Sequence, residues 1–278
     1  MDKSKLKNLI LILLMLVNVF LLILVVSNEN QAKAAKEYRE HALRGVFSQQ
    51  GISLADNIDL SAQAPEKLSL RRDLGRERRS LSAIIGKLSV EDMGGNIFYY
   101  EGEHGQASFS GTGEFKILVD SGIVEAGGDP ISSARATMRK LGYGGGAINA
   151  DIEETSDSTI VTLCCARSNY IIYNAVVSFD FSPNFTIISG RRPLDIEVPD
   201  TDTNEYLDCN TALMNFLEHI RQSGEICTRI DSVEIGYIME TAVSGVCTVH
   251  SVWHISADTG EFYINAATGR WERPEDYS

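Results

Sequence analysis

The sequence lacks the short motifs that most enzymatic chemistry needs. No Gly-x-x-x-x-Gly-Lys-Ser/Thr loop is present, and the glycine-rich stretch 142–146 has neither the lysine nor the hydroxyl that would hold phosphate and magnesium. That stretch reads instead as a helix stop followed by a connection. No Gly-x-Ser-x-Gly elbow occurs. Ser4 and Lys7 have a Ser-Lys spacing, but they precede a long apolar run, far from any folded pocket. His250 and His254 are the closest histidine pair. On a strand they lie about 13 Å apart, at ~3.3 Å per residue, too far to share a zinc whose ligands sit at about 2 Å. Carboxylates are plentiful, but no spacing marks a general acid/base pair. No catalytic residue, cofactor or metal ligand is therefore expected, and the chain is expected not to be an enzyme.

Cysteine is scarce and positive charge is short. Five cysteines are too few for a disulfide scaffold, and no Cys-x-x-Cys is present. Cys164 and Cys165 are neighbours and would point to opposite faces of a strand, so they are not expected to bond. Buried small hydrophobes are the default reading. A Cys227–Cys247 bridge is the alternative if the strands carrying them adjoin. Basic residues number 25 against 38 acidic ones. Three lysines and one aspartate precede the apolar run, so the remainder carries −15. A body that acidic repels phosphate, which excludes nonspecific binding of nucleic acid.

What is present begins with residues 9–26, an 18-residue apolar run whose only polar member is Asn18. A helix of that length covers roughly 27 Å, about one hydrocarbon core. Lys3, Lys5 and Lys7 precede it and Glu29 follows. The positive-inside rule then places the N-terminus in the cytoplasm and the body outside the cell membrane. A cleaved signal peptide is the rival, with Ala32, Ala34 and Ala35 as small residues near a cleavage site. Its apolar region normally spans about 7–15 residues, shorter than this run, so an uncleaved single-pass anchor is expected. Asn18 is either a tolerated amide or a hydrogen-bonding contact with a partner helix inside the membrane.

Residues 28–69 read as a helical stalk and linker. Ala35, Tyr38, Ala42, Val46 and Phe47 form an apolar stripe at helical spacing, and Gly51 breaks the helix. Beyond it the pattern repeats. A helical stripe of Leu74, Leu81, Ile84, Ile85 and Leu88 precedes strands at 98–101, 107–110 and 114–119. A second helix over 131–141 precedes strands at 159–166, 171–181 and 185–189. A third over 204–222 precedes strands at 230–239, 246–256 and 261–265. The expected fold is α+β: a transmembrane helix and stalk (1–27 and 28–69), then three helix-plus-three-stranded antiparallel units at 70–128, 129–199 and 200–278. Trp253 and Phe262 are expected to pack across strands onto the third helix. Arg71, Arg72, Arg76, Arg78 and Arg79 form a basic cluster offset by Asp73 and Glu77. It reads as the solvated face of the first helix, or more sharply as a contact with anionic headgroups or wall polymers.

One resemblance enters here. The phrase Val252-Trp253-His254-Ile255, followed by Asp258-Thr259-Gly260-Glu261-Phe262-Tyr263-Ile264-Asn265-Ala266-Ala267-Thr268-Gly269, resembles the closing hairpin of the YycI/YycH family of membrane-anchored regulators from Gram-positive bacteria. It is also similar to the related PepSY-type module. Arg72-Asp73-Leu74-Gly75-Arg76-Glu77 is similar to the helix that opens the body in these proteins. The motif covers the last 27 residues or so, and the layout covers most of the chain. The resemblance implies a non-enzymatic protein that binds and modulates a sensor histidine kinase of a two-component system controlling cell-wall metabolism. Its implied partners are that kinase and a sister YycH-type regulator. A PepSY-type module that restrains a secreted protease or takes a wall ligand is the alternative.

Overall fold

The computed structural model describes residues 3–143, 147–198, 205–241 and 246–274. Residues 144–146 of the expected glycine connection, and residues 199–204, where the expected second unit ends and the third unit and its helix begin, lie outside the described residues. The chain begins with one continuous helix, α1 (Lys3–Gln49), closed by Gly51 at φ +78°. The expected span at 9–26 falls partly on residues whose side chains lie outside the described residues. Among the described residues, no helix is long and apolar enough to cross a membrane. Leu14, Met15, Leu16, Val17, Phe20, Leu21 and Leu22 of α1 are all exposed.

After α1 come β1 (Ser53–Leu54), β2 (Leu68–Arg71), α2 (Leu74–Ile85), β3 (Ser89–Asp92), β4 (Phe98–Gly102), β5 (Gly105–Phe109) and β6 (Glu114–Asp120). Next are α3 (Pro130–Lys140), β7 (Ala147–Glu154), β8 (Thr159–Arg167), β9 (Tyr170–Phe181), β10 (Phe185–Arg191) and β11 (Ile196–Val198). Last come α4 (Cys209–Ser223), β12 (Arg229–Thr241), β13 (Val246–Ala257), β14 (Gly260–Asn265) and β15 (Trp271–Glu272). Each of the three body helices starts at an aspartate, Asp73, Asp129 or Asp208. Its carboxylate accepts from first-turn N–H groups that no helical carbonyl can serve.

Each helix is followed by a four-stranded antiparallel meander, one strand more than the apolar pattern predicts. The added strands are β3, β7 and β15. The first two meanders join edge to edge through β6 and β10, giving one antiparallel sheet in the order β3-β4-β5-β6-β10-β9-β8-β7. The residues paired in one column across it include Tyr100, Ala107, Ile117, Ile188, Phe179 and Val161, all buried. Leu81, Ile84 and Ile85 of α2, Ala134 and Met138 of α3, and Leu141 at the C-terminal cap of α3 join the same core. Two helices thus cover one face of eight strands.

The third meander builds its own core. Ala212, Leu213, Phe216, Leu217 and Ile220 of α4 pack with Ile230, Trp253, Ile255 and Ile264. Trp253 is fully buried and its indole N–H donates to the Leu207 carbonyl at 3.0 Å. Phe262 is half-buried and meets Phe216 edge to face at 5.2 Å. Leu43 and Phe47 of α1 enter this core as well. The expected α1 stripe is therefore only partly correct: Phe47 is buried, whereas Tyr38 is 77% exposed and Ala35 and Ala42 are exposed. The helix meets the body only over its last two turns, so residues further back have nothing to pack on. The third helix also starts later than expected, at Cys209, because Asp208 caps it. Leu207 lies outside it, paired to Ala266.

The third meander's sheet is extended by β2, just ahead of α2, which pairs with β13 and β11, and it meets the eight-stranded sheet at one backbone pair. Tyr237 of β12 pairs with Ile172 of β9. Gly236 permits that approach, since a Cβ there would sit 2.5 Å from the Tyr173 ring.

Candidate functional site

The charges expected on a solvated helix face do not all lie there. Arg71, Arg76, Arg78 and Arg79 are exposed. Arg72 is not: it precedes the α2 cap and turns inward to Glu77, whose side chain is wholly buried. Arg72 Nε and Nη2 reach the two Glu77 oxygens at 2.8 and 2.7 Å. Arg192, from the chain after β10, reaches Glu77 Oε2 through Nη2 at 2.7 Å, and the Tyr100 hydroxyl donates to Oε1 at 2.5 Å. One carboxylate accepts four donors, an arrangement that makes a buried ion tolerable. Arg72 Nη1 also donates to the Asn96 carbonyl at 2.6 Å.

Arg192 extends the network. Its Nη1 lies 3.3 Å from Asp195 Oδ2, and its guanidinium stands over the rings of Phe109 and Tyr143 at 5.2 and 5.1 Å. Burial opposes its charge, but Tyr143, Asp195 and Glu77 outweigh that and raise its pKa. Among the described residues, Arg192 Nε has no hydrogen-bond acceptor. Burial, with Glu77 beside it, pushes the Tyr100 hydroxyl far above its usual range, and burial does the same to Tyr143.

Against this network lies a cavity of about 290 Å³. Arg76 of α2, Met138 of α3, Gly142 and Tyr143 beyond α3, Cys165, Ala166 and Arg167 at the end of β8, and Pro193, Leu194 and Asp195 line it. Arg76 spans its mouth: Nη2 donates to the Gly142 carbonyl at 3.0 Å and Nε lies 3.9 Å from Asp195 Oδ1. The cavity joins the first meander's helix to the second meander. Cys165 is its one thiol, and burial pushes that thiol to about 12. It is thus protonated at neutral pH and is not a nucleophile. What the cavity offers chemically is guanidinium donors and the Asp195 carboxylate beside apolar surface.

All five cysteines are free. Cys227 and Cys247 belong to different cores, so the alternative bridge between them is not formed. Burial raises Cys209 and Cys247 to about 12 and Cys227 to about 11. His250 and His254 both lie on the strand β13. His254 pairs with Glu261 and stacks on Tyr263 with centroids 4.8 Å apart. Asn18 is exposed on α1. Reasoning from the sequence missed Tyr100, Tyr143, Arg192 and Asp195, and treated Glu77 as an offset to the basic cluster. Arg192 and Glu77 stand 115 residues apart, and no local spacing records their meeting.

These elements define an α+β protein with a long N-terminal helix. No family model matches the chain, and no curated protein matches it. Several solved structures match it at low identity, two of them as follows. An uncharacterized protein from Eubacterium rectale ATCC 33656 is 10% identical, with a TM-score of 0.45 over 80% of this chain and 89% of that one. The Bacillus megaterium YpeB C-terminal domain is 9% identical, with a TM-score of 0.38 over 73% of this chain and 97% of that one. At such scores the likeness carries no inference about activity or partner.

Proposed function

We propose that the chain is a non-enzymatic, membrane-anchored extracytoplasmic regulator of the YycI/YycH kind, which binds and modulates a sensor histidine kinase. The observation that carries this reading is the course of α1. One unbroken helix runs from the apolar segment, where Leu14 to Val17 and Phe20 to Leu22 stand exposed, to Leu43 and Phe47 in the core of the third meander. Apolar surface on that scale calls for lipid or partner helices to cover it. A continuous helix gives the membrane a stiff link to the body.

The test is capture of the full chain from detergent-solubilised membranes of its host. A histidine kinase co-purifies with it under this reading, and Asn18→Leu lowers the yield by weakening one contact inside the membrane. Recovery of a secreted protease in place of a kinase overturns it in favour of the PepSY-type alternative. Release of the protein by alkaline carbonate overturns the anchor.

A further inference from the structure

We propose that the cavity bounded by α2, the end of α3 and the end of β8 binds a small organic acid. Its anionic head would be held by Arg76 and Arg167, and its apolar part by Met138, Ala166 and Leu194. Three observations converge on this. The first is charge. Arg72, Arg76 and Arg192 share the two carboxylates Glu77 and Asp195, with Arg76 Nε 3.9 Å from Asp195 Oδ1, and Arg167 adds a fourth guanidinium, so cations outnumber anions around the cavity. Arg167 is answered by Glu197 at 3.3 Å, a carboxylate 54% exposed and hence well screened. A chain of net charge −13 gives no general reason for positive charge to gather in its cavity.

The second is donor capacity. A guanidinium has five N–H donors in a planar fork that suits a carboxylate. Among the described residues, the hydrogen bonds of Arg76 and Arg167 engage one donor group each, with Gly142 and Glu197. Arg192 Nε, behind the lining residues Tyr143 and Asp195, also lacks an acceptor among the described residues. The third is size and lining. About 290 Å³, part polar and part apolar, lies at the lower end of small-ligand pockets. It suits an acid with a short acyl or aryl tail. A ligand there would touch α2 of the first unit and β8 of the second, and so stabilise the contact between them.

The test uses the full chain in a nonionic detergent, titrated with 3-phenylpropionate and with its neutral amide. Binding is read from thermal melting and from isothermal calorimetry. The acid is expected to raise the melting midpoint saturably, and the amide is not. Arg76→Gln and Arg167→Gln should each weaken the acid by roughly tenfold or more, the scale of one charge-assisted contact. Arg167→Lys should restore part of the loss, and Arg221→Gln, on the exposed face of α4, should change nothing. Circular dichroism of each variant separates lost binding from lost folding. Equal binding of acid and amide, unchanged affinity in both glutamine variants, or no binding of the acid at millimolar concentration would each overturn the proposal.

Discussion

Glu77 is the residue on which the interior depends most. Its carboxylate is the shared acceptor for Arg72, Arg192 and Tyr100. Glu77→Gln keeps the volume but leaves two buried guanidiniums facing a neutral amide. Breaking a buried pair by removing one partner costs about 3–5 kcal/mol. A thermal midpoint for Glu77→Gln close to that of the native chain would refute this. His250 gives a second expectation, this time in pH. Burial lowers its pKa from 6.5, more than Glu272 and Glu240 raise it. The folded state then takes up the proton less readily than the unfolded one. The stability linked to neutral His250 is complete above about pH 6.5 and is lost as pH falls below that value toward the lower folded pKa. His250→Gln should therefore lose less stability than the native chain between pH 7 and pH 5, as denaturant midpoints at the two pH values will show. In the sequence His250 draws notice only as half of a histidine pair too widely spaced for zinc, and Glu77 only as an offset to the basic cluster. Glu77 sits five residues beyond Arg72 on what reads as a charged outer face, and only the distant Arg192 gives the pair its purpose.

At the scale of elements, much of the fold was legible. The strands with clean alternation of apolar and polar residues fall within a residue or two of expectation, because one face of each is buried and the other is not. β3 was invisible for the opposite reason: all four of its residues are exposed at the edge of the sheet, so no apolar period exists to find. The α1 stripe was misjudged because helical spacing alone cannot say where the partner surface begins. That surface begins at Leu43, and Arg44 fixes the exit by donating to the Leu54 and Ala55 carbonyls at 3.0 and 3.2 Å. A chain starting at residue 36 keeps every one of these contacts and should fold as the full chain does. A chain starting at residue 50 loses Leu43 and Phe47, and truncation of one buried aromatic alone costs about 3–5 kcal/mol. It should expose the third core and bind a hydrophobic dye. Equal melting midpoints for the two truncations would show that α1 only leans on the body.

At the scale of the whole molecule, the question is how the part that receives α1 communicates with the part that holds the cavity. The two-helix sheet is continuous through seven backbone pairs between β6 and β10. The third sheet has no such seam on its β12 side, where β9 offers the single pair of Ile172 with Tyr237. Beside that pair, one side chain stands in for a strand. Asn174 of β9 donates from Nδ2 to the Met239 carbonyl and accepts at Oδ1 from the Met239 N–H, both at 2.8 Å. An amide side chain can serve both functions of a peptide group at once, and an aliphatic one of similar size can serve neither. Asn174→Leu therefore leaves both Met239 groups without a partner, at a cost of roughly 1–3 kcal/mol for each if water cannot reach it. The loss should be local, because β2 still holds β13 on the other side through the Leu68–Val249, Ser69–Thr248, Leu70–Cys247 and Arg71–Val246 pairs. Hydrogen exchange measured by mass spectrometry should then show faster exchange in β12 and in the facing part of β9, while β6 and β10 keep their protection. If all strands lose protection together, the two sheets unfold as one unit. If none does, the backbone pairs suffice and Asn174 is not the coupling.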